Sequence, residues 1–312
     1  MKALVATEYQ PLDRITVADL PTPTAGPGQV VIKVAAAALN PLDLGLITGT
    51  MKDFYPVEHP LVIGMDAAGT VAEVGPGVTG YAPGDQVLAF TGTTAGAVAE
   101  YTVAEAGPGL ARRPSGLDAA DAAALPESGM TAVCLLRAAG VKAGDTVLVI
   151  GATGGIGLYA VQLATALGAR VVATASGDDA AYVRRLGATD TVDYREADVV
   201  AQTLRQVPGG VDVVVDLINR GEDLAGSARA VRPGGRLVSP LFGPAELDGD
   251  VTPVYIGSFE PRPGDLEDLA ERAADGRLQV EIGARYPFTD APRAVADFAG
   301  RHIRGKVVVT MG

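Results

Sequence analysis

The alternation of apolar and polar positions changes character about a third of the way along the chain. Up to about residue 117 the apolar residues fall in short runs, among them Gln29–Val34, Thr70–Val74 and Gln86–Phe90. Turn signals at Gly26-Pro27-Gly28, Gly75-Pro76-Gly77 and Pro83-Gly84-Asp85 separate them. Short runs at this spacing predict the strands of a compact, partly open β-barrel. From about Asp118 the pattern switches between helical and strand periods. It predicts helices over Asp118–Ala139, Gly155–Leu167, Asp179–Leu186, Ala197–Gln206 and Asp223–Ala230. Between them it predicts strands over Thr146–Gly151, Arg170–Ala175, Thr191–Tyr194, Val211–Ile218 and Arg236–Leu241. Strands that are near-continuous apolar runs are buried on both faces, and strand-helix alternation implies a parallel sheet with right-handed crossovers. The expected fold is therefore α/β: a doubly wound parallel sheet (Rossmann) domain at 118–258, and a second, β-rich domain built from 1–117 and 259–312.

The last segment reads as a strand at Val254–Phe259, a helix over Gly264–Asp275, a strand at Ala284–Pro287, a helix near Ala291–Gly300 and a closing strand Gly305–Thr310. An apolar strand at a sheet edge needs cover, so Val254–Phe259 points to a homodimer.

Composition narrows the classes of partner. The 312 residues carry 25 Lys and Arg against 37 Asp and Glu, a formal charge of -12. With no Lys/Arg-rich run, an anionic nucleic acid or membrane surface is excluded as partner. No apolar run approaches the ~18 residues of a membrane span. The N-terminus passes at once into polar Thr7-Glu8-Tyr9-Gln10 without the apolar region of an export signal, so a cytoplasmic location is expected. Cys134 is the only cysteine; it sits in apolar Thr131–Leu136 and reads as a buried, inert thiol.

The stretch that carries chemistry is Thr146–Gly157. A strand runs into Ala152, Thr153, Gly154, Gly155, Ile156 and Gly157 and opens a helix. Such a turn aims unpaired N–H groups and the positive end of the helix dipole at an anion, which suits a pyrophosphate. Gly154 would let the backbone approach the phosphates, Gly157 would allow close helix–strand packing, and Ala152 stands at the first glycine position of the dinucleotide fingerprint. NAD sites place Asp or Glu at the end of the second strand; this chain has Ala175-Ser176-Gly177. The missing acid permits NADPH, with Ser176, Arg184, Arg185 and Tyr194 as candidate partners of its 2′-phosphate. Asp178 and Asp179 stand close by and argue the other way, so NADH remains the lesser alternative.

Taken in order, several further motifs resemble the medium-chain dehydrogenase/reductase superfamily, and within it the zinc-free quinone oxidoreductase branch. They are Met1-Lys2-Ala3, Asn40-Pro41-Leu42-Asp43, Gly64-Met65-Asp66-Ala67-Ala68-Gly69, Val74–Val78, Gly84–Val87, Gly96–Tyr101, Ser128–Ala132, Leu186-Gly187-Ala188, Arg232–Arg236 and Gly305–Val309. The resemblance spans the chain and implies that the β-rich domain is of the GroES-like kind, with a cofactor cleft between the two domains. In zinc-dependent members two cysteines and a histidine hold the metal; the matching positions here are Asn40, Met65 and Glu127, a poor donor set for zinc. The four-cysteine structural zinc loop is missing as well, so no metal is expected.

Without zinc, the resemblance implies hydride transfer from NADPH to a small-molecule quinone or α,β-unsaturated carbonyl compound. It places Thr131 at the nicotinamide amide, Asn40 near the nicotinamide and substrate, Leu241, Phe242 and Gly243 beside the nicotinamide ring, and Lys306 reaching the cofactor. Plainer readings stay open: Thr131 as a helix cap, Asn40 as a turn residue, Phe242 as core. The family's enoyl-thioester reductases carry a tyrosine shortly after Asn-Pro-x-Asp. Here that region reads Gly49-Thr50-Met51, and Tyr55 is offset by several residues. Glu127 is a general acid, a substrate partner or a helix N-terminal charge, with the last favoured. An enoyl-thioester reductase and a non-catalytic NADPH-binding sensor or structural subunit are the competing functions.

Overall fold

A computed structural model describes residues 1–256 and 260–312. The chain divides into two compact units, Met1–Ser128 with Pro261–Gly312, and Gly129–Glu260.

In the first unit the chain lays down β1 (Lys2–Ala6), β2 (Thr16–Asp19), β3 (Gln29–Leu39), helix α1 (Pro41–Thr48), β4 (Leu61–Val62), β5 (Asp66–Val74), β6 (Gln86–Phe90), β7 (Tyr101–Glu105) and β8 (Leu110–Arg112). Helices α2 (Ala119–Ala123) and α3 (Pro126–Ala138) follow, the latter running on into the second unit. The expected single helix Asp118–Ala139 is thus two helices. Pro126 has no N–H and its ring would collide with the carbonyl four residues back, so it cannot continue a helix but can begin one. Asp118 caps the first piece, its carboxylate accepting the N–H groups of Ala120 and Asp121. The break gives α3 an N-terminus of its own at Glu127 and Ser128.

The second unit holds β9 (Thr146–Ile150), α4 (Gly155–Ala166), β10 (Arg170–Thr174), α5 (Asp179–Arg185), β11 (Asp190–Val192), α6 (Val199–Gln206), β12 (Val211–Asp216), α7 (Glu222–Ala228), β13 (Val231–Ser239) and β14 (Thr252–Tyr255). The strand order is β11-β10-β9-β12-β13-β14 with every pairing parallel. This is the doubly wound dinucleotide-binding order, with its reversal point between β9 and β12. β13 begins five residues before the expected Arg236. The ladder runs from Val211↔Val231 to Val213↔Arg236, and the irregularity absorbs Pro233-Gly234-Gly235, which a regular central strand would not tolerate. β14 is one of the two edge strands, β11 the other; of the expected Val254–Phe259, residues Gly257, Ser258 and Phe259 lie outside the described residues. Leu148, Val172, Val214, Leu224 and Leu237 lie in the core of this unit.

The chain then returns to the first unit with α8 (Asp265–Ala274), β15 (Ile282–Pro287), α9 (Ala291–Gly300) and β16 (Lys306–Thr310). β16 pairs antiparallel with β3, Val307↔Leu39 to Thr310↔Ala36, in the order β15-β16-β3-β5-β6-β8, and β7 also pairs with β3. A smaller sheet has the order β2-β1-β4. Leu4, Leu39, Ile47, Met65, Val295 and Val309 share one core cluster, so both stretches of this unit bury the same apolar surface.

Candidate active site

In the first unit, four segments far apart in sequence bring their polar side chains together. Asn40 precedes α1 and Asp43 lies in its first turn; the Asn40 N–H donates to Asp43 Oδ2 at 2.7 Å, and the Gly64 N–H to Asp43 Oδ1 at 3.2 Å. Asp66 opens β5. Its Oδ2 accepts Asn40 Nδ2 at 2.9 Å, and its Oδ1 accepts the Glu127 N–H, which in the first turn of α3 has no carbonyl within the helix to bond, at 2.9 Å. Lys306 opens β16, and its ammonium donates to Asn40 Oδ1, to Ser128 Oγ at 3.0 Å and to Asp66 Oδ2 at 3.4 Å. Three N–H donors thus meet three oxygens. Ser128 Oγ donates in turn to Glu127 Oε2 at 3.0 Å.

Asn40 and Asp66 are fully buried, and Asp43, Ser128 and Lys306 are each 2% exposed. Glu127 alone of the six is only half-buried. Burial pushes the Asp43 carboxyl up to about 7; the Asn40 N–H and Lys306 pull it down, and Asp66 and Glu127 raise it further. Burial also raises Asp66, against the opposing pull of Lys306, the Asn40 side chain and the Glu127 N–H. Both oxygens of Asp66 have donors, which is the condition for a buried ion pair to hold together.

The cluster contains three residues expected from sequence: Asn40, Glu127 and Lys306. Lys306, expected at the cofactor, has its three donors directed at Asn40, Ser128 and Asp66. Tyr55 follows α1, its N–H bonded to Met51 O at 2.8 Å and its ring packed against the apolar core. Thr131 is buried within α3, past its first turn, so it is no helix cap, and it belongs to the second unit. Asp43, Asp66 and Ser128 were not singled out by the sequence reading, although each lies inside a motif it used.

The second unit carries the glycine turn. Gly151 adopts φ +88°, so the sharp turn after β9 rests on this glycine, one position before Ala152, which is buried. A Cβ on Gly157 would lie 2.1 Å from the Gly151 carbonyl oxygen, so only glycine allows α4 to approach this closely. A Cβ on Gly154 would meet nothing nearer than 3.5 Å, and this open face lies at the N-terminus of α4 with Thr153, Gly155 and Ile156 beside it. The turn therefore fits the diphosphate of a dinucleotide.

After β10, Ser176 Oγ faces Asp179 Oδ2 at 3.4 Å, and the Gly177 N–H donates to Asp193 Oδ2 at 2.9 Å. The N–H groups of Arg195 and Gly177 hold the Asp193 carboxyl below its ordinary range. Arg184 donates to Thr191 Oγ1 at 2.7 Å, the Arg185 guanidinium lies over the Tyr182 ring, and exposed Tyr194 lies under Arg195. At the end of β12, buried Asp216 accepts the N–H groups of Ile218 and Asn219 at 3.0 and 2.9 Å, and the tight turn leaves Ile218 61% exposed. Leu241 N–H bonds Ser239 Oγ, and the Phe242 ring is 56% exposed, so it is not core. Asp216 and Ile218 had no sequence signal beyond an acid closing an apolar strand.

Residues 26–114 match the family described as alcohol dehydrogenase GroES-like domain, and residues 186–309 that described as zinc-binding dehydrogenase. The chain is 32% identical over 307 residues to the chloroplast envelope quinone oxidoreductase homolog of Arabidopsis thaliana, covering 93% of this chain and 92% of that one. It is also 32% identical to an NADPH-dependent alkenal/one oxidoreductase of the same plant, over 99% of this chain and 79% of that one. The solved quinone oxidoreductase of Coxiella burnetii superposes with a TM-score of 0.86 at 29% identity, over 99% of both chains. A doubly wound dinucleotide unit joined to a GroES-like unit defines an oxidoreductase of the medium-chain type. The chain belongs to the medium-chain dehydrogenase/reductase superfamily, in its quinone oxidoreductase branch.

The zinc implied by one of these family descriptions does not fit the residues present. Asn40 has its amide engaged on both sides by Lys306 and Asp66, and Met65 lies in the apolar core at 1% exposure. Among the described residues no three His, Cys, Asp or Glu side chains are grouped to hold a metal ion. Among them, too, no helix is long and apolar enough to cross a membrane.

Proposed function

We propose that the protein is a zinc-independent, NADPH-dependent reductase that delivers hydride to quinones or to activated alkenes such as enones. The observation that carries this reading is the glycine turn, where Gly151, Gly154 and Gly157 shape the β9–α4 junction for a diphosphate. Relatives named for quinone and for alkenal/one reduction support the acceptor class. The donor set at Asn40, Met65 and Glu127 supports independence from zinc.

A reduced nicotinamide, when bound, supplies the hydride. The residues proposed to hold it are Ala152 to Gly157 and the α4 N-terminus at the diphosphate, Ser176, Arg184 and Tyr194 at the adenosine end, and Thr131, Leu241 and Phe242 at the nicotinamide end. Tyr55 and Glu127 are proposed for the acceptor, and Asn40, its amide held by Lys306 and Asp66, near the nicotinamide and acceptor. A cytoplasmic homodimer belongs to the same proposal, the dimer supported by the edge position of β14. One observation favours a second cofactor reading: Asp179 and Asp193 beside Ser176 and Gly177 oppose a 2′-phosphate and favour NADH.

The test is loss of reduced-nicotinamide absorbance with NADPH and then NADH against a panel of quinones and enones, with a chelator present. Turnover that survives the chelator is the expected result. Turnover confined to alcohols or aldehydes and abolished by the chelator would overturn zinc independence. Activity on enoyl thioesters alone would transfer the reading to a thioester reductase, and tight NADPH binding without turnover on any acceptor to a sensor or structural subunit.

A further inference from the structure

Any hydride acceptor of the proposed class is left with an oxygen-centred negative charge and needs a proton. The polar cluster of the first unit holds a directed chain of donors that ends at its one half-exposed member. Lys306 Nζ donates to Ser128 Oγ at 3.0 Å, and the single hydrogen of Ser128 Oγ has two acceptors in reach, Glu127 Oε2 at 3.0 Å and Asn40 Oδ1 at 3.5 Å, of which the nearer is Glu127. The other two Lys306 donors are tied to Asn40 and Asp66, and Asp66 also holds the Glu127 N–H, so both ends of the chain are anchored to the same carboxylate.

We propose that Lys306, Ser128 and Glu127 form a proton relay that neutralises the reduced acceptor. This inference rests on the reductase reading above. As Lys306 passes an N–H proton to Ser128, Ser128 passes its hydroxyl proton to the Glu127 carboxylate, leaving a neutral amine and a carboxylic acid. Once the acceptor has taken hydride from reduced nicotinamide, Glu127 gives its proton to the acceptor oxygen: an O–H bond breaks on Glu127 and one forms on the acceptor. A hydroquinone results from a quinone, and an enol that becomes the saturated ketone from an enone. A proton from water then enters at Glu127 and returns along the chain to restore the ammonium. Glu127 is the catalytic residue of this relay; Ser128 and Lys306 supply and position it.

The test compares Ser128→Ala, Ser128→Thr and Glu127→Gln with the parent enzyme. Positioned acids contribute roughly 100- to 10,000-fold, so Ser128→Ala is expected to lower kcat by about 10- to 100-fold with an unchanged KM for the nucleotide and an altered solvent deuterium isotope effect. Ser128→Thr, which keeps the hydroxyl, restores most of the rate. An unchanged kcat and isotope effect in Ser128→Ala would overturn the relay while leaving the reductase reading intact. If the parent enzyme reduces no acceptor, the reductase reading fails, and the chain itself is read in nucleotide-free protein from the Glu127 carboxyl NMR resonance, identified by its loss in Glu127→Gln. Asp43, Asp66 and Lys306 are the surrounding charged groups, and Ser128→Ala leaves all three in place. A titration midpoint that moves up in Ser128→Ala supports the chain, and one that stays put overturns it.

Discussion

The glycine turn of the second unit and the polar cluster of the first are built on opposite plans. The turn is made of backbone: consecutive residues place N–H groups at a helix end, and side chains matter chiefly by their absence at Gly154 and Gly157. The cluster is made of side chains from α1, β5, α3 and β16, and needs the whole unit folded before any two of its charges meet. A backbone site tolerates surrounding change and fails when a Cβ enters it; a side-chain site fails when one charge is lost. The two also differ in what they forbid, since the turn excludes atoms and the cluster excludes unpaired charge.

Substitutions can break this contrast. Lys306→Met leaves Asp66 buried without its cation, and such a loss costs about 3–5 kcal/mol, read as a fall in the urea midpoint. Lys306→Arg is expected to recover part of it. A Lys306→Met protein as stable as the parent would mean that the cluster is not held by charge. Gly157→Ala forces a Cβ against the Gly151 oxygen and is expected to cost about 1–3 kcal/mol, the scale of overpacking, and to abolish binding of reduced dinucleotide by fluorescence titration. Gly154→Ala, where a Cβ finds open space, leaves the unfolding midpoint unchanged while weakening the same binding.

Titration sharpens the contrast, because of the two regions the cluster is the one with carboxyls raised by burial, Asp43 and Asp66. Asp43 titrates at about 7 in the folded protein and at 3.8 in the absence of structure, so the folded state binds the extra proton between those values. Stability from this group is present at low pH and is lost as pH rises from about 4 through about 7, on the order of a few kcal/mol. Asp66, raised in the same direction, adds to that slope. Asp43→Asn is expected to flatten unfolding free energy against pH across this window, measured by urea titration at each pH. The smallest effect belongs to the exposed end of the second unit: Asp193→Asn removes a carboxylate beside Gly177 and is expected to shift the preference between NADPH and NADH toward NADPH by roughly 2- to 5-fold, the scale of an exposed charge interaction.

The same contrast explains what could be read from the amino acids alone. The turn was legible because Thr146 to Gly157 is one uninterrupted segment whose strand, glycines and helix announce each other. The detail missed there, that Gly151 rather than position 152 makes the left-handed bend, is a matter of φ that spacing does not encode. In the cluster, Asn40, Glu127 and Lys306 were identified through family likeness and assigned separate tasks. Nothing local says that residues 40, 66, 128 and 306 meet, since β3, β5 and β16 must first pair in register. The helix break at Pro126 was the one local cue available, and it is what frees the Glu127 N–H for Asp66.

The order in which the chain leaves the ribosome gives the Lys306 position a further meaning. The second unit is contiguous over 129–260, so all its strands emerge before β16 does, and domains fold as units while synthesis proceeds at about 5–20 residues per second. Asp43 and Asp66 precede the second unit in the chain, and their counter-charge Lys306 follows it. Burial of Asp66 as an ion pair therefore becomes available only after the whole second unit has been synthesised.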